Sequence, residues 1–242
     1  LPLPAFFLAL EAAAVNFKSN FKKIILLTIW SAFPILVMAE YSKVVTARYI
    51  FFVIPYIFIL ASSAFLAKGK WVMKLAVLTV VGFFAFSLFF DAKLLTNPAE
   101  APLPHGERNG YLEEWTAGQG IFEVANFIKE EHGKNPTKKI VVGTEGYFGT
   151  LPNGLEMYLE GVDNVVVIGV GLGIREIHPS LKESKEAGNK TYLLVNQSRL
   201  SEDPDKIGLK LISSYPKPKR KVGSKEYNEK GPQETLYFFE VQ

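Results

Sequence analysis

The sequence predicts a membrane protein with an all-α segment of three to four transmembrane helices, followed by an extracytoplasmic α/β domain with a largely parallel sheet. Three observations support this: long apolar stretches confined to residues 1–90, an uneven distribution of basic residues between the loops that join them, and alternating strands and helices further on. We therefore divide the chain into membrane helices over 1–90, a proline-rich connector over 91–117 and the α/β domain over 118–242.

The clearest membrane helix covers residues 49–67, which are 19 residues without a charge. At about 1.5 Å per residue this stretch spans roughly 28 Å, close to the hydrocarbon thickness of a bilayer. Pro55 lies within it, and proline is tolerated in membrane helices. A buried core helix is the alternative, but similar stretches at 24–39 and 71–90, with a further apolar segment at 1–15, favour a membrane location.

The charge of the chain differs between its two parts. Residues 1–90 carry eight Lys and Arg against two acids, which gives +6, and residues 91–242 carry nineteen against twenty-two, which gives −3; the sum is the net +3 of the chain. The small positive total therefore does not indicate a nucleic-acid partner. There is no cysteine, and the three histidines lack ligand spacing, so no ligand set for a metal is evident, although a full-length protein could hold a divalent ion.

The loops between the apolar stretches predict the orientation of the chain. Loops 16–23 and 67–70, with Lys74 beside the second, hold five or six basic residues, whereas loop 40–48 holds two. Because short basic loops stay in the cytoplasm, we expect the first two loops inside, and loop 40–48 and everything after residue 90 outside. Since 1–15 resembles the tail of another apolar segment and no signal peptide precedes it, we expect the chain to be the C-terminal part of a longer multi-pass protein.

The later part of the chain alternates between apolar strands and helices. This pattern is typical of a largely parallel sheet covered on both faces. Two final strands, 209–215 and 236–241, are predicted to form a hairpin across the basic loop 217–233, which we interpret as solvated, with contact to anionic lipid headgroups as the alternative. The preceding elements are helix 121–128, strand 139–143, helix 155–159, strand 164–168, helix 179–187 and strand 191–196.

Two glycine-containing stretches follow the predicted strands. GVGLG at 169–173 lacks the third glycine of a dinucleotide fingerprint, because Ile174 occupies that position, so we interpret it as a turn. Glu145 follows the first strand, where α/β sheets often bind ligands, with Asn153 and Glu156 further on. This stretch is either a polar site or a loop tip in which glycines supply the turns.

Arg48 lies just before the predicted membrane helix 49–67, at its outer end. Lys43 is in the same loop, and Tyr49 is next in sequence. A guanidinium group matches the oxygens of a phosphate in a fork geometry, so this position favours a lipid phosphate. The alternative is a side chain that only anchors the helix at the interface.

Several stretches together resemble the C-terminal part of polytopic GT-C glycosyltransferases of the dolichyl-phosphate-mannose–protein mannosyltransferase type (glycosyltransferase family 39-like). TARY at 46–49 opens a membrane helix, and one last helix and an outside α/β domain follow. The remaining matches resemble bacterial members: APLP at 101–104, Glu107-Arg108, Tyr111-Leu112, WTAGQG at 115–120, TEG at 144–146 and LPNGLE at 151–156.

The resemblance implies an integral-membrane hexosyltransferase that moves a sugar from a polyprenyl-phosphate donor to a protein or glycan acceptor outside the cell. The family's catalytic carboxylate lies in the first outside loop, so none is assigned in this chain. Arg48, with Lys43 and Tyr49, is implied to contact the donor phosphate. Glu107 and Arg108 match the family's acid–arginine pair, and these two residues and Glu145 are further substrate-binding candidates. A membrane-anchored extracytoplasmic binding or sensor domain without catalysis is the alternative.

Overall fold

A computed structural model describes residues 3–42, 47–66 and 70–242. The chain divides into two compact units, which we call the membrane unit (Leu1–Glu107) and the α/β unit (Arg108–Gln242). Lys43, one of the predicted donor contacts, lies outside the described residues.

The membrane unit consists of three helical regions. Helix α1 covers Leu3–Tyr41 and is interrupted at Asn20, whose backbone is not helical. Helix α2 covers Ile54–Ser62 and is flanked by 3₁₀ segments at Ala47–Val53 and Ser63–Leu66, and helix α3 covers Lys70–Thr96. Three stretches in the described residues are long and apolar enough to cross a bilayer, namely Asn20–Tyr41, Arg48–Phe65 and Met73–Thr96.

The helix boundaries differ from the prediction in three places. The predicted loop 16–23 is helical apart from the break at Asn20. The second span is not one continuous α-helix: α2 starts only at Ile54, with Pro55 in its first turn, where the missing N–H of proline costs no hydrogen bond. Helix α3 continues beyond residue 90 to Thr96. It ends there because Pro98 disfavours helical backbone in the residue before it.

Small residues allow the helices of the membrane unit to approach closely. Ala12, Ala64 and Ala76 are fully buried in its interior cluster. Large apolar side chains point outward instead, including Leu36 and Leu78, each about two-thirds exposed. Small residues inside and large apolar ones outside are what helix packing in a lipid solvent requires.

The α/β unit contains a five-stranded mixed sheet in the order β2-β1-β3-β5-β4. Strands β2, β1 and β3 are parallel, β5 is antiparallel to β3, and β4 is antiparallel to β5. The predicted hairpin of the last two strands is confirmed, whereas the sheet as a whole is mixed and not largely parallel. Helix α4 (His105–Arg108) ends at the first residue of this unit. The elements that follow are a π-helical turn (Asn109–Glu113), α5 (Ile121–Lys134), β1 (Ile140–Thr144), α6 (Thr150–Leu159), β2 (Val165–Gly169), α7 (Pro179–Glu186), β3 (Lys190–Asn196), β4 (Leu209–Pro216), α8 (Lys225–Lys230) and β5 (Thr235–Val241).

Helices cover both faces of this sheet. Helices α5 and α6 pack on one face through a cluster that contains Val124, Leu155 and Phe238, and α7 packs on the other through Leu181. Gly143 of β1 is required here, because a Cβ atom at this position would lie 2.7 Å from Leu181 Cδ1. The two buried faces explain why the central strands are apolar at successive positions.

Candidate functional site

A buried carboxylate lies where the parallel strands end, at what we call the carboxyl edge of the sheet. Glu145 follows β1 directly and is 4% exposed. Its oxygens accept hydrogen bonds from Asn196, the last residue of β3, through the backbone N at 2.7 Å and Nδ2 at 2.8 Å. Burial raises the pKa of the Glu145 carboxyl, and the two hydrogen bonds from Asn196 oppose that rise.

The same asparagine connects the sheet to the segment through which the chain enters the α/β unit, residues 108–117, which we call the entry segment. Asn196 Nδ2 also donates to the carbonyl oxygen of Trp115 at 3.2 Å. The guanidinium of Arg199 stacks on the Trp115 ring, 4.5 Å from its centroid. Connections from β1 and β3 leave in opposite directions here, which is where open α/β sheets bind ligands, but the entry segment occupies this place.

Lys217 also holds the entry segment, through hydrogen bonds to its backbone. It is 1% exposed, and its ammonium donates to the carbonyl oxygens of Glu114 at 2.9 Å and Ala117 at 3.0 Å. Burial lowers the pKa of Lys217 to about 8, against the opposing influence of Glu234, Glu145 and Glu114.

Arg220 is the centre of an ion-pair network, and its side chain is fully buried. Its Nε lies 3.4 Å from Glu114 Oε1, and its Nη2 lies 3.5 Å from Glu234 Oε2. Its remaining donors reach backbone carbonyls, Nη2 that of Glu113 and Nη1 those of Lys230 and Gly231. The guanidinium therefore joins the entry segment, the basic loop and the start of β5.

Two further pairs complete the network. Lys230 Nζ donates to Glu114 Oε2 at 2.9 Å, and Arg108 Nε forms an ion pair with Glu113. Glu113 and Glu114 are both at least 95% buried. Since these carboxylates pair with cations and are closed to solvent, the network holds the entry segment in place.

The interpretation of loop 217–233 as solvated fits most of its residues but not its first and fourth. Lys217 and Arg220 are buried, and α8 forms within the loop. The Lys-Pro-Lys-Arg pattern has the composition of a surface segment, but two of its cations bind the distant entry segment, Lys217 through backbone carbonyls and Arg220 through the Glu114 carboxylate. Adjacent acids between Leu112 and Trp115 were the available signal, because apolar flanks indicate that Glu113 and Glu114 lie close to a core.

The predicted site residues fall in different parts of the chain. Arg48 and Tyr49 belong to the membrane unit, where the Arg48 guanidinium lies 5.3 Å from the Tyr49 ring centroid. Glu107 is the last residue of that unit, and Arg108, the first of the α/β unit, pairs with Glu113. Glu145 lies in the buried cluster at the carboxyl edge. Sequence reasoning missed its partner Asn196 and the residues of the neighbouring buried network, namely Glu113, Glu114, Lys217, Arg220 and Glu234.

The glycine-containing loops at this edge form turns. Gly146 and Gly149 have positive φ angles of 74° and 107°, and Gly171 has one of 104°. Asn153 holds the first loop, because its Oδ1 accepts from the backbone N of Gly149 at 2.7 Å. In residues 3–42, 47–66 and 70–242, no group of three or more His, Cys, Asp or Glu side chains could hold a metal ion.

Comparison with known proteins gives no relative: no family model, curated protein or solved structure matches the chain. The class that the described residues define is a protein with three helical stretches long and apolar enough to cross a membrane, followed by a mixed α/β unit.

Proposed function

We propose that the chain is the C-terminal part of an integral-membrane glycosyltransferase that transfers a sugar from a polyprenyl-phosphate donor to an acceptor on the extracytoplasmic face. The observation that carries the proposal is Arg48-Tyr49 at the head of the second span, within the stretch that resembles the GT-C enzymes. Three apolar spans followed by an α/β unit agree with the order of elements in that resemblance. The catalytic carboxylate would lie upstream of this chain.

We propose that Arg48 contacts the donor phosphate. It is exposed, and it begins the candidate span Arg48–Phe65. A charge at the end of a membrane helix is favoured when an opposite charge accompanies it, and a phosphate offers several acceptor oxygens to one guanidinium. Tyr49 and Lys43 are proposed to assist through their proximity in sequence.

Replacing Arg48 with alanine in the full-length enzyme should lower transfer at sub-saturating donor by roughly ten- to a hundred-fold, because a charge-assisted bond to phosphate contributes about 1.5–3 kcal/mol. Arg48→Lys should recover part of the loss, since an ammonium lacks the fork. The measurement is the transfer rate in detergent against the concentration of polyprenyl-phosphate sugar.

Lys74→Ala is the matched control. Lys74 also lies at the start of a span and beside an aromatic ring, 5.3 Å from the centroid of Trp71. If Lys74→Ala and Arg48→Ala reduce transfer equally, or neither reduces it, Arg48 acts only as an interfacial anchor and the proposed phosphate contact is wrong.

The proposed orientation places the α/β unit outside the cytoplasm and the region around residue 69 inside, because the segments 16–23 and 67–70 are the basic ones. Alkaline phosphatase fused after Gln242 should therefore be active, and green fluorescent protein fused there should be dark when exported through the general secretory route. Fusions at Gly69 should show the opposite pattern. A phosphatase active only at Gly69 would reverse the orientation and remove the outer location of Arg48.

An open cavity in the α/β unit favours the second candidate function, a membrane-anchored binding domain. Its volume is about 470 Å³, within the range of small-molecule sites. Leu209, Tyr237 and Phe239 line it together with the acids Glu202 and Asp205. A full-length protein that transfers no sugar from polyprenyl-phosphate donors would favour this function over the first.

A further inference from the structure

Three large apolar side chains project from two neighbouring loops at the carboxyl edge. Tyr147, Phe148 and Leu172 are 69%, 83% and 60% exposed. The first two follow β1 and the third follows β2. We call these three side chains the apolar tip.

The two loops of the apolar tip are packed into one projection. The backbone N of Gly146 donates to the carbonyl oxygen of Gly171 at 2.7 Å. A Cβ atom at Gly169 would lie 2.4 Å from the Gly146 carbonyl oxygen and 2.7 Å from Tyr147 Cα, so only glycine permits this approach. The apolar tip is thus held by the fold and does not depend on a partner for its conformation.

The residues around the apolar tip carry no charge. Residues 146–155 and 164–174 contain no Asp, Glu, Lys or Arg, so transfer of the apolar tip itself into an apolar medium removes no charge from water. Arg175 and Glu176, which follow in the second loop, are exposed. The opposite edge of the sheet is different, because Lys139, Asp163 and Lys190 stand at or just before the starts of the three parallel strands. The apolar tip therefore differs in polarity from the opposite edge of the sheet.

Exposed cations accompany the apolar tip at the carboxyl edge. Lys219 and Lys221 are exposed in the basic loop, next to Val222, which is 78% exposed. This loop belongs to the carboxyl edge because Lys217 donates to Glu114 and Ala117 of the chain around Trp115, whose carbonyl oxygen accepts from Asn196. In the strand order β2-β1-β3-β5-β4, the apolar tip and the basic loop lie at opposite ends of this edge. Apolar groups and lysines along one edge match a membrane interface with anionic headgroups, where each Lys contributes about 1 kcal/mol.

The link between the last candidate span and the α/β unit is short. The last candidate span ends at Thr96, and the α/β unit begins at Arg108. The residues between them, 97–107, cover at most about 40 Å when fully extended. The entry segment that follows is bound at the carboxyl edge through Trp115, so the chain enters the α/β unit at the edge that carries the apolar tip.

We infer that the carboxyl edge of the α/β unit docks on the bilayer that holds the protein's own helices, with Tyr147, Phe148 and Leu172 inserted in the interface and Lys219 and Lys221 on anionic headgroups. The inference is independent of the proposed glycosyltransferase function, because it rests on the α/β unit and the spans alone. Docking would place the entry segment and Arg199 at the membrane surface.

The absence of cysteine from the sequence permits a direct test. The full chain is reconstituted in nanodiscs of phosphatidylcholine with anionic phosphatidylglycerol and labelled with the fluorophore NBD at a single cysteine. Labels at Phe148→Cys and Leu172→Cys should emit at shorter wavelength than a label in water, should be protected from quenching by aqueous iodide and should be quenched by nitroxide-bearing lipids. Asp163→Cys, exposed at the opposite edge, is the matched control, and its label should be quenched by iodide and not by the lipids.

The lysines are tested separately in the Leu172→Cys background, which keeps both aromatic residues. Lys219→Gln combined with Lys221→Gln should lower the ratio of docked to free edge by roughly thirty-fold in anionic nanodiscs and leave it unchanged in neutral ones. Equal iodide access at residues 148, 172 and 163 would overturn the inference. Protection from iodide without quenching by lipid nitroxides would also overturn it, because a protein partner and not the bilayer would then cover the apolar tip.

Discussion

Replacing Arg220 with methionine should lower the free energy of unfolding of the α/β unit by about 3–5 kcal/mol, because it removes one partner from a buried ion-pair network. The guanidinium is fully buried between Glu114 and Glu234 and donates to three backbone carbonyls. Methionine fills a similar length but leaves these carbonyls without a donor and the carboxylates with one cation fewer.

The measurement uses the full chain in detergent micelles, with Trp30 and Trp71 replaced by phenylalanine. The chain has three tryptophans, so Trp115 is then the only one, and its fluorescence during urea unfolding follows the entry segment. Lys221→Met is the control, because the side chain of Lys221 is exposed and a change there should stay within about 0.5 kcal/mol. Equal midpoints for the two variants would show that the network adds nothing to stability.

The sheet could be predicted from the sequence because its central strands carry apolar side chains on both faces. Val141 and Leu193 face one covered side, and Val142 and Leu194 face the other, so both alternating sets are apolar. A run of this kind indicates a strand buried on both faces, and the helices between the runs then require parallel neighbours. The antiparallel pairing of β5 beside β3 has no local signal, since it depends on which edge the last hairpin joins.

The buried charge network could not be predicted because its partners are about 100 residues apart. Lys217 and Arg220 bind Glu113 and Glu114 across the whole α/β unit, and nothing in either stretch identifies the other. The predicted domain start at residue 118 lies after these acids, whereas the compact α/β unit begins at Arg108. A chain cut at residue 118 would leave Lys217 without the Glu114 and Ala117 carbonyls.

The position of Glu145 in the sequence predicts its location in the fold but not its surroundings. Its place after β1 predicts a residue at the ligand-binding edge of an α/β sheet, and it does lie at that edge. Its burial depends on Asn196 and on the entry segment, which come from other parts of the chain. An edge position therefore predicts where a polar side chain lies and leaves open whether a substrate can reach it.

Stability of the α/β unit should rise between pH 8 and 10.5 through Lys217, and this rise should be absent in Lys217→Met. The folded-state pKa of Lys217 is lowered to about 8 from 10.5, so between these values the unfolded chain binds the proton and the folded chain does not. Because the unfolded state then carries more protons, the free energy of unfolding increases with pH. The full difference between the two pKa values corresponds to an increase of about 3 kcal/mol in the free energy of unfolding at the upper end of this pH range.

The test compares urea midpoints of the parent and Lys217→Met in the same single-tryptophan background at pH 7 to 10.5. The difference between the two proteins isolates Lys217, because Tyr192, whose pKa burial raises to about 12, is present in both. Lys219→Met, at an exposed position two residues away, should follow the parent at every pH. If the difference in urea midpoint between the parent and Lys217→Met stays constant across this range, the Lys217 ammonium keeps its ordinary pKa. Burial against the entry segment would then not desolvate it.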